Sequence, residues 1–431
     1  MASSQSSVVS TQASNYEFLG PPGALLLCTG VPITTYALYF GCSEESGGCP
    51  PKFVPNEIFA ALSDPEWWKA LWDTQTTLPF IAWITFCVTA WAVLPGDRVT
   101  GTILRTGERK VYKINAFSTF VLTLGLAFFV ILCYGSAPLT YLHRNFVTLL
   151  SASLVVSVFQ ALACYAISFR PGTLLALGGS TSNPIYNFYI GRELNPSIGS
   201  FDLKSFNQLR PGFILWILLD LSMVCEQAVR RGGFSQVTDS LWFILIFQGL
   251  YVADILYHEH EIFTKIDITT DGFGFMHSVG YLSWLPFTHS LQARYLVFKP
   301  IVLGPVWTTT IVVFNLIGYY IFRVANAEKN DFRNGKIDKK SSYITTELGS
   351  KLLTSGWWGR CRHPNYFGDL LMALAWSLPT CSPIPYFYFF YLVALLTHRQ
   401  RRDDEACEKK YGKEWKKYME LVPYRIVPSV Y

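Results

Sequence analysis

An all-α polytopic membrane protein of about ten transmembrane helices, with C-terminal helices forming a cytosol-facing cofactor pocket, is the fold class this sequence predicts. Three observations lead there. The chain has 431 residues, of which 51% are hydrophobic and only 15% charged, against roughly 25% charged in an ordinary soluble domain. Mean hydropathy is positive, at +0.27. Apolar runs approaching the ~20 residues that cross a bilayer recur along the chain. This balance excludes a disordered or fibrous protein and leaves a water-soluble globule too few charges for its surface.

The predicted spans run in order over Gly23–Cys42, Thr77–Leu94, Asn115–Gly135, Leu149–Phe169, Gly212–Val229 and Asp239–Tyr257. Phe273–Phe298 (broken by Pro286) and Ile301–Arg323 follow, and then a short pair, Tyr366–Leu378 and Ile384–His398, joined through Pro379–Pro383. Met1–Pro22 has no Lys or Arg and no cleavage-site pattern, so the first span is expected to serve as its own insertion signal. Three divisions result: 1–22 as an N-terminal segment, 23–257 with six helices, and 258–431 with four helices and a tail.

Lys and Arg in short loops orient such a chain. The loop with Arg98, Arg105, Arg109, Lys110 and Lys113 is basic, as are the loop with Lys329, Arg333, Lys336, Lys339 and Lys340 and the tail after His398. With ten spans all three lie on one side, placing both termini in the cytosol; Arg230-Arg231 falls on the opposite side. Net charge is +5, but residues 321–431 hold 18 Lys/Arg against 11 Asp/Glu, or +7, leaving −2 for the rest. Of ten cysteines, Cys42 and Cys49 flank a Glu/Gly-rich loop on the expected lumenal side, where a disulfide and free thiols are both open readings. No C-x-x-C pair occurs, so no structural zinc site is expected.

Ionisable groups inside spans usually mark function. The densest run is Gln248 to Glu261, where Tyr251, Asp254 and His258 recur at i, i+3 and i+7 and so share one helix face, followed by Glu259. A tyrosine beside a carboxylate and a histidine in a dry pocket suits proton delivery to an apolar substrate. The competing reading is a solvated helix exit. His258-Glu259 lacks the second zinc-protease histidine, since Ile262 stands there. Further on, Asp267 and Asp271 are combined with a Gly-aromatic turn, Gly272–Phe275, with Asp271 also readable as a plain N-cap.

In the basic C-terminal quarter, Lys329 and Arg333 are four apart and face one way, as a phosphate clamp would. Gly356–Tyr366 gathers Trp357, Trp358, Arg360, Arg362, His363 and Asn365, and His398–Glu405 sets Arg399, Arg401 and Arg402 beside Asp403, Asp404 and Glu405. Attraction to anionic lipid explains cations alone. The interleaved rings, amide and carboxylates favour a nucleotide-type ligand. No Gly-x-Gly-x-x-Gly follows a strand, which removes a Rossmann fold.

At these residues the chain resembles the sterol reductase family of the endoplasmic reticulum and inner nuclear membrane, most closely its fungal C-14 branch. The matching text includes Gly191-Arg-Glu-Leu-Asn-Pro196, Gly199–Lys204, Leu209–Gly212, Asp267–Met276, Trp284–Phe287, Ser290–Ala293, Arg362–Asp369, Arg402-Asp403-Asp404 and Lys410–Arg425. The resemblance covers about Tyr16 to Tyr431. It implies a multi-pass endoplasmic reticulum enzyme that uses NADPH to reduce the C14–C15 double bond of sterol intermediates in ergosterol or sterol biosynthesis. By carry-over, Lys329, Arg333, Trp358, Asn365, Tyr366, Arg399, Asp403 and Tyr418 hold the cofactor. The sterol pocket falls to the spans, and the acid comes from Tyr251, Asp254, His258 and Glu259, with Tyr251 as donor. Expected partners are the sterol, the bilayer and other sterol-biosynthesis enzymes, with no nucleic acid and no metal. The resemblance implies Gly-Asp, as relatives usually have, where this chain reads Gly280-Tyr281, and His277 is also unusual against it. Two rival readings stand beside this one. The last ~80 residues also resemble isoprenylcysteine-type methyltransferases that use S-adenosylmethionine, and a non-catalytic sterol-binding paralogue would share the outline.

Overall fold

Residues 16–44, 46, 48–51, 55–104, 107–336, 341–347 and 349–431 are described in a computed structural model, with 55–58 described by backbone alone. Met1–Asn15, Arg105, Lys339 and Lys340 of the expectations above lie outside these residues. Among the described residues, seven helical segments are long and apolar enough to cross a membrane: Gly20–Phe40, Pro65–Val93, Ala116–Tyr134, Phe146–Ile167, Leu203–Arg231, Asp239–Tyr257 and Gly304–Arg333. Each overlaps one of the ten predicted spans; four match within about three residues at both ends, while Pro65–Val93, Leu203–Arg231 and Gly304–Arg333 extend well beyond the expected Thr77–Leu94, Gly212–Val229 and Ile301–Arg323. The other three are helical but broken or short. Phe273–Phe298 is divided by a π turn at Gly280–Trp284 and by a break at Ser290. Pro364–Ser377 has only 14 residues, and Phe387–Tyr411 starts apolar but runs on into charge.

The long helices are labelled α1 (Gly20–Phe40), α2 (Thr74–Val93), α3 (Ala116–Tyr134), α4 (Phe146–Ile167), α5 (Pro211–Arg231), α6 (Asp239–Tyr257), α7 (Gly304–Arg333), α8 (Pro364–Ser377), α9 (Phe387–Tyr411) and α10 (Lys413–Leu421). Their ends follow local chemistry. Asp73 caps α2 by accepting from Gln75 N at 3.0 Å. Proline opens α5 and α8, where a missing N–H costs nothing, and Gly232, at φ +89°, closes α5. The basic loop between α2 and α3 is an antiparallel hairpin, Asp97–Ile103 on Arg109–Ile114, and Cys42 and Cys49 are joined in a disulfide.

The chain divides into two compact units, the first comprising 1–237 and 244–298 and the second 238–243 and 299–431. In the first unit, Gly191 (φ +92°) sits so close to the 273–274 backbone that an added Cβ would lie 2.4 Å from Gly274 N. The Gly191–Pro196 and Asp271–Met276 motifs thus meet backbone to backbone, with Phe273 N donating to Glu193 O at 2.9 Å. In the second unit, Gly318 on α7 and Gly368 on α8 let the two helices touch, since a Cβ at Gly368 would stand 2.6 Å from Phe322 N.

Arg210, at the start of α5, is a deeply buried cation paired with an acid. Its Nη2 donates to Glu259 Oε1 and to Asn115 Oδ1, both at 2.8 Å, and both charged side chains are under 5% exposed. Glu259 Oε2 accepts from Ala116 N at 2.7 Å, capping α3, and Asn115 Nδ2 reaches the α2 carbonyls of Trp91 and Leu94. One buried pair therefore ties α2, α3, α5 and the turn after α6. Arg210→Met is expected to destabilise the protein by about 3–5 kcal/mol by stranding a buried charge. The double change Arg210→Met/Glu259→Leu is expected to recover most of that loss in thermal unfolding in detergent; equal losses in both variants would contradict it.

Candidate functional site

In the first unit, the sequence-derived acid cluster separates into three settings. Tyr251 lies half-buried on α6 with its ring edge-on to Trp216, centroids 6.4 Å apart. The Trp216 indole donates to Gln248 Oε1 at 2.9 Å and packs on His289 at 4.9 Å, so Tyr251 belongs to a ring-and-amide cluster between α5 and α6. Asp254 and His258 stay together as their spacing predicts, with His258 Nδ1 2.9 Å from Asp254 O and 3.4 Å from Asp254 Oδ1. Glu259 lies in the following 3-10 turn and turns to Arg210 and Ala116. Burial raises the Glu259 carboxyl above its ordinary range, with the Arg210 charge opposing.

A second corner joins the other motifs. Single ligand atoms of Asp267, Asp271 and His277 lie within 4.8 Å of one another. The ammonium of fully buried Lys204 donates to the carbonyls of Ile268 (3.2 Å) and Asp271 (2.6 Å), so a cation already stands beside these acids. His277 is held through Nδ1 by Gly272 O at 2.8 Å. Its ring lies parallel to Phe273 and Tyr281, at 6.5 and 5.6 Å between centroids. His277 and Tyr281, the two positions expected from the sequence to depart from the resembled family, thus stack on each other. Asp220, in the middle of α5, is absent from the sequence-derived candidates, although an acid among leucines inside a predicted span is itself a signal. It is fully buried, and neither carboxyl oxygen has a hydrogen-bond partner among the described residues.

In the second unit, most of the expected cofactor residues converge. Lys329 Nζ, near the end of α7, lies 3.9 Å from the centroid of the Trp358 ring, a cation–π contact. Trp358 is fixed from behind, since its Nε1 donates to Ala325 O at 2.8 Å and its carbonyl accepts from Tyr418 OH at 3.4 Å. Tyr418 is buried under Trp358 with Trp415, and burial raises its phenol pKa. Arg333, one turn beyond Lys329, is exposed. Asn365, at the start of α8, donates to Asn326 Oδ1 at 3.2 Å while its own Oδ1 is buried and accepts nothing from the described residues. Tyr366 OH donates to Asp403 Oδ2 at 3.2 Å, and Arg399 stands one turn before Asp403 on α9.

The loop before α8 is laced to the tail. Arg362 N and His363 N each donate at 2.9 Å, to Tyr424 O and Arg425 O. Arg362 Nη2 reaches Asp404 Oδ2 at 3.2 Å, and Gln400 Nε2 donates to the same oxygen. His363 stacks on Tyr366 at 4.8 Å. Burial, reinforced by the charges of Lys329, Arg362 and Arg399, lowers its imidazole pKa to about 3. Glu328, which accepts from Trp357 N at 3.0 Å, and Asn326 support this site and were not among the sequence-derived candidates.

The model of the ergosterol biosynthesis ERG4/ERG24 family matches residues 12–431. The delta(14)-sterol reductase of Schizosaccharomyces pombe is 44% identical over 423 residues, covering 96% of this chain and 97% of that protein. The delta(14)-sterol reductase of Saccharomyces cerevisiae is 39% identical, with 99% and 100% covered. The delta(14)-sterol reductase of Mus musculus is 41% identical, with 96% and 97% covered.

His363 has a direct consequence for acid stability. Its pKa falls from 6.5 to about 3 on folding, so between these values the unfolded state binds more protons and stability rises with pH. The contribution is present in full above pH ~6.5 and is lost as pH falls toward ~3. His363→Phe, which keeps a ring on Tyr366, is expected to flatten the unfolding midpoint over this window. An unchanged pH profile would contradict the assignment.

Proposed function

The chain belongs to the ergosterol biosynthesis ERG4/ERG24 family, and from that premise we propose that it acts as a delta(14)-sterol reductase. In this reading it reduces the C14–C15 double bond of sterol intermediates with NADPH, in the endoplasmic reticulum membrane with both termini cytosolic. The observation that carries the reading is full-length similarity to proteins of that name. The cofactor part is supported by the set at the α7 end, and the residues there fit such a group. Lys329 and Arg333 offer two cations one turn apart for phosphates. Asn365 Oδ1 is a buried acceptor awaiting a donor, as an amide or ribose hydroxyl would supply.

NADPH, when bound, supplies the hydride that reduces the sterol. The protein's own residues have four tasks. Lys329 is held on the Trp358 ring, so its ammonium is aimed before any ligand arrives. Tyr366 is fixed by Asp403, and Tyr418 braces the Trp358 backbone. Tyr251 gives a proton from its hydroxyl to the alkene, leaving a tertiary carbocation, with Asp254 one turn along the same helix; Glu259, expected to share this role, is instead held by Arg210 and the Ala116 amide. The apolar surroundings exclude the water that would otherwise capture that cation.

Expression of this chain in a strain lacking C-14 sterol reductase is expected to abolish Δ14-sterol accumulation by mass spectrometry. Continued accumulation with the protein present in the membrane would overturn the proposal. Lys329→Ala/Arg333→Ala is expected to weaken NADPH binding in microsomes about a hundredfold, as the loss of two charged hydrogen bonds implies. Unchanged affinity would assign these cations to lipid attraction instead.

A further inference from the structure

The second unit carries a groove of about 500 Å³ lined by Arg401 but by none of Lys329, Arg333, Trp358, Asn365, Tyr366, Arg399, Asp403 and Tyr418. That volume lies within the ~300–1,000 Å³ range of small-molecule sites. One wall is α9, which contributes Phe389, Val393, Thr397 and Arg401. These are spaced by four residues and so form a single stripe along one helix face. Arg399 and Asp403 stand two residues to either side of Arg401, on a different face of the helix. Leu370 and Leu374 of α8 line the groove opposite the stripe, and Tyr431 closes its end.

The groove's chemistry is ordered along its length. Ring and aliphatic carbon come first, a hydroxyl follows at Thr397, and a cation stands at Arg401. The cationic end is reinforced, because Arg401 and Arg425 both hydrogen-bond the Tyr431 phenol, Arg425 Nη1 at 3.2 Å. Two guanidinium groups thus converge where the apolar lining stops. Asp403 and Asp404 on the same helix are engaged with Tyr366 and with Arg362 and Gln400. Phe390 and Leu395 beside the stripe are 62% and 41% exposed, as a lipid-facing helix would be.

An apolar channel ending in cations fits an amphiphile with a hydrocarbon tail and a negative head. An uncharged sterol would fill the apolar part and make no use of the two guanidinium groups at its end. We propose that this groove binds a phospholipid with a net negative headgroup, one acyl chain lying between α8 and α9 and the phosphate meeting Arg401 and Arg425. This assignment is independent of the reductase reading, because the groove and the cofactor-type residues occupy different faces of α9.

The test is native mass spectrometry of the full chain, purified in mild detergent and exchanged into nanodiscs of phosphatidylcholine with or without phosphatidylinositol. The wild-type protein is expected to retain one phospholipid and to prefer phosphatidylinositol over phosphatidylcholine. Arg401→Ala is expected to reduce that preference about fivefold, the worth of one arginine near an anionic headgroup. Val393→Trp is expected to lower retention of both lipids by filling the channel. Retention of no phospholipid, retention of a sterol in its place, or equal retention of the two lipids by the wild-type protein would overturn the proposal. The wild-type preference decides the matter even where a variant fails to fold.

Discussion

Charge inside a low-dielectric interior must be paired, and the Arg210–Glu259 pair shows how the first unit meets that requirement. Both groups are buried, and the protein supplies partners beyond the pair itself: Asn115 for the guanidinium and the Ala116 amide for the carboxylate. Those partners lie at the start of α3, and Asn115 also binds the end of α2. The need to satisfy two charges therefore becomes a positional lock on four segments. It also fixes where α6 must end, and with it the setting of Asp254 and His258.

The second unit is organised by closeness of backbone instead. Gly318 and Gly368 remove the side chains that would hold α7 and α8 apart. Once the helices touch, Asn365 meets Asn326, and the loop before α8 falls across the end of α7, where Trp358 receives Lys329. The cations of this region are thus aimed by packing that itself carries no charge.

The spans were legible because hydropathy over ~20 residues is a local property, and Asp239–Tyr257 matches its expected bounds at both ends. Phe273–Phe298 was not fully legible. Pro286 is where a break was expected, yet it sits in the first turn of a short helix, and the irregular backbone lies just before it at Gly280–Trp284. That π turn answers to α5, since Tyr281 O approaches to within 1.9 Å of where a Gly212 Cβ would be, a long-range fact absent from local sequence. In the cofactor-type site, the i, i+4 pair and the Trp-His-Asn run pointed to the right neighbourhood. Which side of Trp358 each group occupies was set by tertiary contacts. Tyr418 could be named from its motif, but only the fold places it beneath the ring, and only the fold ties Glu259 to Arg210.

The lacing of Arg362 and His363 to Tyr424 and Arg425 has a consequence in the time domain. A chain that enters the membrane from its N-terminus presents the Trp358–His363 loop some sixty residues before the segment that satisfies its backbone amides. During synthesis this loop waits, with α7 and α8 already able to touch, while α9 and α10 are made. The second unit is therefore finished by its last few residues rather than growing steadily as helices accumulate. A nascent chain can hold most of its spans in place and still lack the surface on which Trp358 rests.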